Sequence, residues 1–167
     1  MQTIPVIYSR NNKPFSYAIR LLDKGALICP FSHVAIVSKC GTFVYEARGG
    51  YGVIKTPIQE FKARATYWEE GFFPVICRAE AYRRAESQQG KEYDLMGAVV
   101  IGLPFIPHHW ADPEKWFCSE YLAYCSQMFE AKHISFIGVN FCYALTHSKP
   151  LPGISFNNKE IQFESAV

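Results

Sequence analysis

The sequence predicts an α+β protein in which helices pack against a mainly antiparallel sheet. Three observations carry that expectation. Stretches rich in β-branched residues gather in the first half, "HVAIV" (His33 to Val37) and "TFVYEA" (Thr42 to Ala47) above all. Helix-spaced segments fill the second half: Glu80 to Gln89, Asp94 to Ile101 and Phe117 to Ala131. A chain of 167 residues, 49% of them hydrophobic, is long enough for one domain, spanning residues 1 to 167, with a real core.

Taken in order, Ile4 to Tyr8 reads as a short strand and Ser16 to Leu22 as a helix, from the spacing of Ala18, Ile19 and Leu22. Ser38 to Gly41 is the turn between the two β-rich stretches. The glycines of "GGYG", Gly49 to Gly52, make a second turn into a strand from Val53 to Thr56. They link strands rather than opening a helix, which argues against a phosphate loop. Pro57 to Ala63 reads as a short helix and Ala65 to Phe73 as extended. Gly90 closes the Glu80 helix. Asp94 suits the N-cap of the next helix. Pro104 to Pro113 is an irregular loop. After His133, Pro150 and Pro152 argue for loop.

Several function classes fall away. A net charge of +2 is too small to make nucleic acid the partner. The Arg83-Arg84 pair reads as the solvated side of a helix. The N-terminus lacks the basic start and apolar run of a signal peptide. The longest apolar run, Leu95 to Pro107, carries two glycines and two prolines and is too short to cross a bilayer. The expected location is therefore cytoplasmic, and peripheral membrane contact is not expected. The six cysteines include no C-x-x-C, so neither a zinc site nor any other metal or cofactor is expected. Without an export signal, reduced thiols are expected, each by default a small core residue.

Cys118 departs from that default. Cys118, Leu122, Cys125 and Phe129 share one helix face, with Ser119, Glu120 and Gln127 mostly elsewhere. Cys118 falls in the first turn, where unpaired N–H groups and the helix dipole favour thiolate over thiol. The same N–H groups can hold the oxyanion formed when a carbonyl is attacked. A cysteine nucleophile needs a histidine base, and the histidine needs an orienting acceptor. His108, His109, His133 and His147 read as surface or loop residues, although the loop carrying His108 and His109 leads into the cysteine helix and makes both candidate substrate contacts. His33 opens a strand. A hairpin centred between Lys39 and Cys40 pairs Val37 with Thr42, Ala35 with Val44, and His33 with Glu46. Glu46 is then placed to accept a hydrogen bond from His33. A one-residue shift in register would send Glu46 to the opposite face.

With these residues in view, "GKEYDLMG" (Gly90 to Gly97) followed by "WFCSEYL" (Trp116 to Leu122) resembles the papain-like NlpC-type amidase and peptidase superfamily. "FSHVAIV" and "VYEA" precede the cysteine here, an order similar to the circularly permuted YiiX/YaeF-like and lecithin–retinol-acyltransferase-like branch, and to small proteins of bacterial and prophage origin. The resemblance runs from about Ser16 to Phe129. It implies a papain-like antiparallel sheet or half-barrel packed on helices, with Cys118 as nucleophile, His33 as base and Glu46 as the third residue. It also implies that Tyr93 stands near the oxyanion, and it makes Ser119, Trp116 and His109 candidate oxyanion or substrate contacts.

The implied chemistry is acyl transfer through a thioester, with no cofactor. One expectation is an amidase or peptidase acting on a peptide or isopeptide bond. A second is an acyltransferase or thioesterase acting on an acyl lipid, suggested by Leu95 to Pro107 and by Phe105, Trp110, Trp116 and Phe117, which burial in the core explains equally well. A third is a binding module that kept the fold without turnover. Oligomeric state is not legible.

Overall fold

In the computed structural model, residues 1–22, 30–100, 112, 114–129 and 137–147 are described. The elements are β1 (Gln2–Arg10), α1 (Pro14–Leu22), β2 (His33–Val37), β3 (Phe43–Arg48), β4 (Gly52–Pro57), α2 (Ile58–Arg64), β5 (Tyr67–Val75), α3 (Arg78–Ser87), β6 (Glu92–Tyr93), α4 (Leu95–Val100), β7 (Lys115–Trp116), α5 (Cys118–Ser126) and α6 (Val139–His147). The class is the expected one: an α+β arrangement with a five-stranded antiparallel sheet, in the order β4-β3-β2-β1-β5, packed against helices. Pro5 sits in the interior strand β1, but its pairing with β2 begins only at Val6, so the missing N–H is not needed on that side.

Period-two alternation sends the strand residues to two different covers. Ile4, Val6, Tyr8, Val34, Ile36, Tyr45 and Phe73 join Ala81, Ala85, Tyr121, Leu122 and Cys125 of α3 and α5 in the main core. Ile7, Ala35, Val37 and Val44 turn the other way, onto Phe61 of α2. The main core is thus built between the sheet and α5, the helix that begins with Cys118.

Three expectations are corrected. The cysteine helix ends at Ser126, short of Ala131, because Gln127 adopts a left-handed conformation (φ 62°) and its side-chain amide donates to the carbonyls of Cys77 and Cys125. That helix is buried almost all round rather than on one face; Ser119 and Glu120, expected on the outer side, are buried too. The tail beyond His133 contains a helix, α6, whose Val139 and Cys142 enter the main core. The prolines that argued for loop lie after its end. A short parallel pair, β6 with β7, was not foreseen; it sets Tyr93 beside Trp116 just before the cysteine.

Candidate active site

His33, Glu46 and Cys118 come together where the start of β2 meets the start of α5. The β2–β3 register differs from the expected one by two residues: Val37 lies opposite Val44 and Ile36 opposite Tyr45. The turn is wider than Ser38 to Gly41 because Ser38 and Phe43 close it, Ser38 N–H to Phe43 O at 2.8 Å and Phe43 N–H to Ser38 Oγ at 3.1 Å. Continuing the register puts Ala35 opposite Glu46 and leaves His33 on the diagonal. A slip of two keeps both side chains on one face, where a slip of one would have separated them. His33 Nε2 and Glu46 Oε2 meet at 2.8 Å. The Cys118 side chain lies close enough to the same ring to act on its charge. As the first residue of its strand, His33 can meet Glu46 on one side of the sheet's end and α5 on the other.

Electrostatics follows from this geometry. Burial of the His33 ring opposes its charged form, but the hydrogen bond and charge of Cys118, followed by those of Glu46, outweigh it and raise its pKa to about 10. Burial likewise pushes the Glu46 carboxyl upward. The hydrogen bonds from His33 and Thr56 and the Arg64 charge overcome that effect and hold it at about 2. Glu46 Oε1 accepts from Thr56 Oγ1 at 2.7 Å and from the Arg64 guanidinium. Thr56 and Arg64 were not singled out from the sequence. Thr56 lies opposite Val44 in the β3–β4 pairing, which a correct hairpin register would have revealed; Arg64 had no local signal.

Cys118 opens α5 and is 3% exposed. The N–H of Tyr121 makes the first helical bond, to Phe117 O at 2.9 Å, so the N–H groups of Cys118, Ser119 and Glu120 precede the ladder. Glu120 reaches back toward the Phe117 N–H at 3.5 Å. Burial, with the Asp94 charge nearby, raises its carboxyl to about 8, so it is neutral at pH 7 and adds no negative charge beside the sulfur. Asp94 caps α4 as expected, its Oδ1 accepting from Gly97 N–H at 2.7 Å.

A cleft of about 390 Å³ is lined by His33, Glu46, Tyr93, Arg64 and their neighbours; beside it, a recess of about 10 Å³ is lined by Cys118 and Ser119. The recess has room for about one water. Tyr93 and Ile19 line both spaces and form the partition between cleft and sulfur. Burial, then the proximity of Cys118 and Asp94, pushes the Tyr93 phenol well above its usual range, so it stays a proton donor. Tyr93 is held there by the β3–β4 turn: Lys91 O accepts from Val53 N–H at 2.8 Å, and a Cβ at Gly52 would meet that oxygen at 2.2 Å. Gly52 also has φ +78°, so it is glycine for two reasons.

Of the other candidates, Trp116 lines neither space. Its indole N–H donates to Gln88 Oε1 at 3.2 Å and its ring packs on Tyr124, a core role. His147 ends α6, with Nε2 at 2.9 Å from Glu69. His109 lies outside the described residues, as do His108, His133, Cys29, Phe105, Trp110 and nearly all of the Pro104 to Pro113 loop. The other five cysteines, Cys118 among them, are free thiols. No helix among the described residues is long and apolar enough to cross a membrane.

Fold and site together define the class of protein: an α+β chain with a five-stranded antiparallel sheet and a Cys–His–Glu cluster at a helix start. No protein-family model matches the sequence. No curated protein matches it either. Among solved structures, the fold is similar to that of the metalloprotein yiiX from Escherichia coli O157:H7 (DUF1105), with a TM-score of 0.53 and 22% identity. The match covers 75% of this chain and 64% of that one, so this chain spans less than two thirds of its neighbour's length. That neighbour is described as a metalloprotein. Among the described residues here, no group of three or more His, Cys, Asp or Glu is arranged to hold a metal ion.

Proposed function

We propose that this chain is a cysteine-nucleophile hydrolase, an amidase or peptidase of the permuted papain-like kind, acting through a thioester. The observation that carries the reading is the placement of the three side chains: Glu46 holds His33 at 2.8 Å, and Cys118, at the start of α5, lies close enough to act on the same ring. A protonated imidazole beside the sulfur supports a thiolate–imidazolium pair. The thiolate of Cys118 attacks the carbonyl carbon. The N–H groups at the start of α5 and the Tyr93 hydroxyl stabilise the oxyanion. His33 gives its proton to the leaving amine as the C–N bond breaks. Water, deprotonated by His33, then attacks the thioester; the C–S bond breaks, the acyl group leaves as a carboxylic acid, and the thiolate–imidazolium pair is restored. Glu46 stays ionised throughout and orients the ring, and Thr56 and Arg64 orient Glu46.

The test is alkylation of Cys118 by iodoacetamide, mapped by mass spectrometry. Wild-type Cys118 is expected to react at pH 6 at a rate within about tenfold of its rate at pH 8, and His33→Ala to slow the pH 6 reaction by about tenfold or more. A Cys118 that reacts only above pH 8, or is indifferent to His33, overturns the proposal. Incubation with peptide amides and with acyl lipids, followed by the same mapping, separates the amidase from an acyl-lipid transferase: the acyl group trapped on Cys118 names the substrate.

A further inference from the structure

The cleft beside His33 carries more positive charge than holding Glu46 requires. Its lining includes Arg10, Lys13, Arg48 and Arg64 and a single carboxylate, Glu46. Glu46 is fully buried and its oxygens are taken by His33, Thr56 and Arg64. It therefore offers nothing to the other three cations. Among the described residues neither Arg10 nor Lys13 has a carboxylate partner; Arg10 only lies over the Tyr67 ring, 5.3 Å from its centre. Arg48 has a loose carboxylate partner, the exposed Glu60 at 3.8 Å, and lies over the Tyr51 ring, 4.1 Å from its centre. Arg64 keeps a buried Nε–H without an acceptor.

These cations line the same cleft as the imidazole. Ser9 pairs with His33, so Arg10 follows directly at the end of β1. Continuing the β2–β3 register puts Arg48 opposite His33. With His33 itself protonated, every mobile charge facing the cleft is positive. Like charges crowded into a concave, partly desolvated space repel one another, and a low-dielectric wall strengthens their pull on an anion. Guanidinium groups also present paired N–H donors that match the two oxygens of a carboxylate or phosphate.

We infer that this cleft binds an oxyanion, carboxylate or phosphate, carried by the substrate next to its scissile acyl group. The inference rests on the proposed thiol chemistry for its catalytic meaning, and it names the substrate class: an acyl compound with an anionic group on the His33 side of the reacting carbonyl.

Two alkylating agents of nearly equal size test it. Iodoacetate is an anion and iodoacetamide is neutral; both give thioethers that mass spectrometry assigns to individual cysteines. Exposed Cys40 serves as an internal reference. Relative to Cys40, Cys118 is expected to favour iodoacetate by about tenfold at low salt, a preference that added salt erodes. The combined variant Arg10→Gln, Lys13→Gln, Arg48→Gln, which leaves Arg64 in place, is expected to lose most of that preference, read as the ratio of the iodoacetate to the iodoacetamide rate at Cys118. Should the combined variant not fold, the single variants carry the same comparison. An iodoacetate preference untouched by these substitutions, with rapid iodoacetamide reaction at pH 6, overturns the oxyanion site and leaves the thiol chemistry standing. Slow iodoacetamide reaction at pH 6 strikes the thiol chemistry instead. Calorimetric titration of inorganic phosphate and of acetate into the unmodified chain then decides the cleft by itself: binding that the variants lose supports it, the tighter of the two naming the anion, and no binding of either overturns it.

Discussion

At the residue scale, the candidate site is organised around Glu46. A carboxylate buried this deeply survives ionised only because three donors converge on it, and removing one leaves the others unbalanced. Arg64 is a positioning residue in this arrangement. Arg64→Ala is expected to raise the Glu46 pKa from about 2, lower that of His33, and cost about 1–3 kcal/mol of stability. NMR titration of the His33 ring reads the electrostatic part, which simple loss of packing would not move. Arg64→Lys restores the charge without the fork and is expected to recover only part of the shift. An unmoved His33 titration in Arg64→Ala would show that the guanidinium does not act through Glu46.

At the element scale, the placement of α6 depends on a glycine in β5. A Cβ at Gly71 would meet Thr146 Cγ2 at 2.4 Å. The same threonine exchanges a hydrogen bond with Tyr8 of β1, at 2.7 Å. Helix and sheet therefore approach closely where one has no side chain. Gly71→Ala is expected to cost about 1–3 kcal/mol by overpacking, measured by chemical denaturation. Truncating the helix residue relieves the clash, so Gly71→Ala combined with Thr146→Ser should lose less than the sum of the two single changes. Strict additivity would show that the contact is not what places α6.

At the scale of the whole molecule, the Glu46–His33 pair links stability to pH on both sides. Glu46 is depressed in the folded state, so its contribution is present above about pH 4.5 and is lost as pH falls toward about 2. His33 is raised, so its contribution is complete below about pH 6.5 and is lost as pH rises through about 10. Glu120 adds to the alkaline side: its folded value of about 8 means that the folded chain holds a proton the unfolded chain has released, so stability falls between about pH 4.5 and 8. Thermal denaturation across pH is expected to show a maximum near pH 4.5, with a gradual fall to about pH 6.5 and a steeper one above it. In Glu46→Gln the acid limb should shrink and stability near neutrality should fall by about 3–5 kcal/mol, as for a buried ion pair that loses one partner. A Glu46→Gln profile parallel to the wild type would show that the pair does not govern the pH response.

The sequence by itself determined the α+β class, the five strands of the main sheet, the helices α1 to α5, Asp94 as a cap, and which three residues were worth bringing together. Periodicity and capping are local properties, expressed within a turn of helix or a strand of alternating side chains. Tertiary structure decided the rest. The β2–β3 register shifted by two because the wide turn closed by Ser38 and Phe43 is selected by hydrogen bonds, not by hydrophobic pattern. Trp116 became core through the hydrogen bond of its indole to Gln88 and its packing on Tyr124, and the position of α6 was settled by contacts with β5. Arg64 and Thr56 reached Glu46, and Arg10 and Arg48 came to flank His33, only when the strands were laid side by side. No stretch of sequence announces those neighbours, because the distance that creates them runs across the sheet and not along the chain.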